Sequence, residues 1–99
     1  MANRVRTSYA AECFWPGVRD DDLSDADRRV RDCVLVVGPE SGPVRYLGWR
    51  LAIDDEVVWF EFEGPIAKVR RVADQAEIPL GRILRVARGP DPADKETPT

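Results

Sequence analysis

"RYLGWRLAIDDEVVWFEFEG", residues 45–64, decides the fold. Two runs rich in aromatic and β-branched residues flank Asp54 and Asp55, the pattern of two strands joined by a turn. With the two aspartates as the turn, Ile53 opposes Glu56, and Leu51 with Val58, Trp49 with Phe60 and Leu47 with Phe62 share one face. The other face pairs Ala52 with Val57, Arg50 with Trp59, Gly48 with Glu61 and Tyr46 with Glu63. A slip of one residue would mix the two sets, so the sorting itself supports the register. Asp-Asp suits a two-residue turn less well than Asn-Gly or Asp-Gly, which leaves a longer turn open. Both faces carry aromatic residues, and that raises the question of what covers each.

Upstream of the hairpin, Thr7 to Phe14 reads as a strand closed by "WPG" at 15–17. From Asp20 the apolar residues Leu23, Ala26, Val30, Cys33, Val34 and Val37 follow the spacing of one helical face. Asp20, Asp21 and Asp22 suit the cap and the positive end of the helix dipole. "GPESGP" at 38–43 stops that helix. Downstream, Pro65 suits the start of a second helix with the stripe Ile66, Val69, Val72, Ala73 and Ala76, ended by Pro79. Ile83 to Arg88 is a last strand too short to reveal its inward set. The order β-α-β-β-α-β is that of an α+β, ferredoxin-like domain, here residues 5–88, with a four-stranded antiparallel sheet and both helices on one face. Residues 89–99, "GPDPADKETPT", have no large apolar side chain and are expected to form a disordered tail.

The 99 residues suffice for one modest core. With a net charge of −3 the chain lacks the global positive field that gathers nucleic acid. No signal-like apolar stretch and no membrane-spanning run occur, so a cytoplasmic protein is expected, with no membrane partner. Cys13 and Cys33 form neither a Cys-x-x-Cys pair nor a zinc pattern, and are read as reduced thiols.

In this arrangement Leu47, Trp49, Leu51, Val58, Phe60 and Phe62 face the helices. Phe14, Glu12, Tyr46, Arg50, Val57, Trp59, Glu61 and Glu63 lie on the uncovered face, which is too apolar to stay wet without a use. Self-association through this face or through the edge strands is one use. Glu12, Tyr46, Arg50, Trp59 and Glu61 are the candidate ligand-binding residues.

"SYAAECFWPGV", "GPVRYLGWRLAIDDEVVWFEFEGP" and "ADQAEIPLGRILRV" resemble a family of small bacterial, mainly actinobacterial, proteins of unknown function, one of whose members is described as nickel-binding. The likeness spans residues 8 to 88 and is most specific at Glu12, "PGV" at 16–18, "RYLG" at 45–48 and "IP" at 78–79. It implies a ferredoxin-like fold that dimerises through its sheets into an α+β barrel. The chain has no histidine, the usual imidazole ligand of nickel, so no metal ligands are assigned.

Three functions follow as expectations. The first is a homodimeric binding protein with a small-molecule or metal site in the cleft between sheets. The second is a cofactor-independent enzyme of the dimeric barrel type, monooxygenase or isomerase-like, with Glu12 or Glu61 as acid or base and Arg50 stabilising an anion. The third is an RNA-binding module, disfavoured because Glu61 and Glu63 flank Trp59 and would repel phosphate.

Overall fold

The computed structural model describes residues 6–89. The elements are β1 (Arg6–Phe14), α1 (Asp20–Val37), β2 (Arg45–Ala52), β3 (Val57–Glu63), α2 (Ile66–Gln75) and β4 (Leu80–Arg88). The four strands form one antiparallel sheet in the order β2-β3-β1-β4, the split arrangement of a ferredoxin-like fold. Of the tail expected over residues 89–99, only Gly89 is described, and residues 90–99 lie outside the described residues, as does residue 5.

One face of the sheet carries Ala11 and Cys13 from β1 and Val58, Phe60 and Phe62 from β3, all fully buried. Leu23, Ala26 and Val30 of α1 and Val69, Val72 and Ala73 of α2 close over them, which accounts for both helical stripes seen in the sequence. Burying each of the valine, leucine and phenylalanine side chains among them contributes about 1.5–3 kcal/mol. At the start of α1 the cap is not made by Asp20: Arg19 is the N-cap residue, and its N–H donates to the Asp22 carboxylate at 2.9 Å. Arg29 of α1 donates from Nε to the carbonyl of Ala76 at 2.8 Å, tying α1 to the end of α2.

Two glycines set the geometry around β2 and β3. Gly64, at φ 132°, leads into α2, and a Cβ there would sit 2.6 Å from the Pro43 carbonyl. Gly48, at φ 113°, sits at a bulge in β2. From Gly48 onward the hairpin register is the expected one: Gly48 with Glu61, Trp49 with Phe60, Arg50 with Trp59, Leu51 with Val58 and Ala52 with Val57. Before the bulge it shifts, so that Tyr46 pairs with Phe62 and Arg45 with Glu63. Tyr46 therefore takes the place expected for Leu47. The turn is longer than two residues, spanning 53–56, with Glu56 at φ 56° and Ile53 exposed. Trp49 faces the helix side but is 39% exposed, because β2 is an edge strand and the helices do not fully reach it.

Lys68 of α2 is a buried cation that the apolar stripe did not reveal. Its ammonium donates to the carbonyls of Gly38 at 3.1 Å and Gly42 at 2.7 Å, and also to that of Glu40. Three donors meet three acceptors, so the loop between α1 and β2 is fastened to α2 by its own backbone. No helix among the described residues is long and apolar enough to cross a membrane.

Candidate functional site on the uncovered sheet face

Pairing across the strands fixes the row that crosses the middle of the open face. Arg50 of β2 lies opposite Trp59 of β3, Trp59 opposite Glu12 of β1, and Glu12 opposite Arg82 of β4. The next row runs Gly48, Glu61, Ala10, Leu84. This settles the facing of β4: Arg82, Leu84 and Val86 share the open face, while Ile83 packs against the core.

Glu12 is clamped from both sides. Its Oε1 accepts from Arg82 Nε at 2.7 Å and its Oε2 from the Trp59 indole N–H at 3.2 Å. The hydrogen bond from Arg82 is the main reason that the Glu12 carboxyl is held below its ordinary range, against the opposing effect of burial. At neutral pH it is an ionised acceptor that orients the indole, and it has no proton to donate as a general acid.

Beside this clamp, Ala10, Arg50, Trp59, Glu61, Leu84 and Val86 line a depression of about 260 Å³. Arg50 reaches Glu61 at 3.5 Å, a looser contact than that of Arg82 with Glu12. Ser8, one pair further along β1 and opposite Val86, is almost fully buried, and its hydroxyl has no hydrogen-bond partner among the described residues. Phe14, at the other end of β1, is exposed next to Val57.

Four of the five candidate ligand-binding residues come together here: Glu12, Arg50, Trp59 and Glu61. Tyr46 is the correction. Because Gly48 bulges, Tyr46 turns to the helix side, where its hydroxyl donates to Asp27 Oδ1 at 2.7 Å and its ring packs 5.4 Å from that of Phe62. The Arg31 guanidinium lies 5.5 Å from the same ring and bonds Asp27 at 2.8 Å. Burial pulls the Asp27 carboxyl up, but hydrogen bonds from Arg31 and Tyr46 prevail and hold it below its ordinary value. Burial, reinforced by the bond to Asp27, pushes the Tyr46 phenol well above its ordinary value. The signal for this exchange was the glycine inside a strand, which often marks a bulge. Leu84 and Val86 were missed as lining residues because the last strand alternates too briefly to show its face.

The donors among the described residues do not fit nickel. Burial, with the charge of Glu12 beside it, pushes the Cys13 thiol up to about 12, away from the thiolate that binds soft metals. Cys33 lies on α1, away from the open face, and no group of three or more potential metal ligands occurs among the described residues.

No family model matches the chain, and no curated protein does. Among solved structures, the crystal structure of SCO4226 from Streptomyces coelicolor A3(2) is similar, with a TM-score of 0.64 at 17% identity, covering 80% of this chain and 94% of that one. At that identity the similarity shows the fold, and a ferredoxin-like α+β domain is what both chains share.

Proposed function

We propose that the protein is a small homodimeric binding protein whose open sheet face both pairs with a second copy and holds a small ligand in the depression beside Trp59. One observation carries the reading: an apolar floor of Ala10, Trp59, Leu84 and Val86 bordered by the charged pair Arg50 and Glu61. Apolar surface with a few converging polar groups is the general composition of a ligand site. Two copies packed sheet on sheet would bury Phe14, Val57 and Trp59, and would enclose the depression.

The clamped state of Glu12 favours binding over acid catalysis on this face. Arg82 and Trp59 already use both of its oxygens, and its lowered pKa keeps it charged. Glu12, Trp59 and Arg82 then act as a support that fixes the indole.

Sedimentation equilibrium on the wild type and on Trp59→Lys tests the reading. The wild type is expected to be a dimer and the variant a monomer with an unchanged far-ultraviolet circular dichroism spectrum. A variant that stays dimeric and folded would contradict the assigned face.

A further inference from the structure

We propose that the depression on the open face takes a small apolar carboxylate, with Arg50 holding the carboxylate and Trp59, Leu84 and Val86 packing on the hydrocarbon. This rests on the reading of the open face as a binding surface and adds the chemical class of the ligand.

Arg50 and Arg82, at the two ends of the row through Trp59 and Glu12, differ in what they have left to give. Arg82 is committed to Glu12 at 2.7 Å. Arg50 touches Glu61 only at 3.5 Å, and its side chain is 69% exposed. A guanidinium offers five N–H donors in a planar fork that matches a carboxylate edge to edge, and most of that capacity is unused at Arg50. Glu61 is in the opposite condition: its side chain is only 15% exposed, and it is engaged beyond Arg50. The donors that Arg50 has left suit a second carboxylate, one that can approach it more closely than Glu61 does.

Size and polarity set the rest of the molecule. The depression of about 260 Å³ is smaller than the roughly 300–1,000 Å³ of sites for drug-sized ligands, so a short chain or a single ring fits. Leu84, Val86 and Ala10 provide no hydrogen-bonding side chain along the floor, and the indole N–H of Trp59 is taken by Glu12. A polar tail would lose its water there without replacement, whereas a hydrocarbon gains by burial. Ala10 leaves the floor open because its side chain is small.

The test uses the full chain and three probes of one length, hexanoate, hexanol and hexylammonium, followed by calorimetry and by the amide signals of β1, β3 and β4 in ¹H–¹⁵N spectra. Hexanoate is expected to bind at least about tenfold more tightly than either other probe, and to weaken as salt rises. Arg50→Gln, at an exposed position, should lose that tenfold for hexanoate and leave hexanol unchanged. Ala10→Leu, if its spectrum shows a folded protein, should weaken both. Tighter binding of hexylammonium, or hexanoate binding that ignores Arg50→Gln, would overturn the ligand class while the binding face stands. Failure of all three probes to move any open-face amide would overturn the ligand class and count against the binding face as well.

Discussion

The two faces of the sheet are built from the same strands and solve the problem of aromatic residues differently. On the helix side, Phe60 and Phe62 are fully buried among aliphatic side chains, and the polar groups that enter are paired to completion: Tyr46 with Asp27, and Lys68 with three carbonyls. On the open side, Trp59 is only half-buried and Phe14 exposed, and the charged pairs range from close to loose: Arg82 with Glu12 at 2.7 Å, Arg45 with Glu63 at 3.1 Å and Arg50 with Glu61 at 3.5 Å. A face that is saturated stabilises the fold. A face with a guanidinium in reserve, an orphan hydroxyl and apolar surface in water is suited to binding.

That contrast can be broken by mutation. Phe60→Ala has the largest expected effect, a loss of about 3–5 kcal/mol in urea unfolding, because it leaves a cavity beneath both helices. A loss below about 1 kcal/mol would mean that the helix face is not the core. Lys68→Met should cost about 2 kcal/mol, since the carbonyls of Gly38, Glu40 and Gly42 lose their common donor. Its local signature should be faster hydrogen exchange at residues 38–44, measured by mass spectrometry.

Tyr46→Phe removes one hydrogen bond to a charged acceptor and should cost about 1.5–3 kcal/mol at pH 7. The pH dependence has a definite sign. The folded carboxyl of Asp27 lies below its ordinary value of 3.8, so its stabilisation is fully present above about pH 4 and is lost as pH falls through the folded pKa. The urea midpoints of wild type and Tyr46→Phe should therefore converge as pH falls through the folded pKa of Asp27, and a gap that persists unchanged in acid would detach Tyr46 from the ionised aspartate. Ser8→Ala should have the smallest effect, a gain of up to about 1 kcal/mol in the monomer, because it deletes a buried hydroxyl without a partner among the described residues. A clear loss, measured by thermal unfolding at low concentration, would place a bonding partner at Ser8 and remove one of the differences between the faces.

The element order, the helical stripes and most of the hairpin register followed from the spacing of apolar residues, since burial on one face punishes any slip of that spacing. The exchange of Leu47 for Tyr46 did not, because a bulge changes the count by one and only Gly48 announced it. Lys68 was hidden for a different reason: its partners are main-chain carbonyls, which carry no side-chain pattern. Of the site, Glu12, Arg50, Trp59 and Glu61 were found from the alternation of β1 and the hairpin. Arg82, Leu84 and Val86 depend on which strand neighbours β1 and in what register, and that is decided by tertiary pairing.

Native mass spectrometry of protein purified without added metal or ligand addresses the central claim directly, that the open sheet face is a binding surface. The wild type is expected to be a dimer carrying a small extra mass that denaturation releases, and Trp59→Lys a bare monomer. A wild-type protein that stays a bare monomer at every concentration would contradict it.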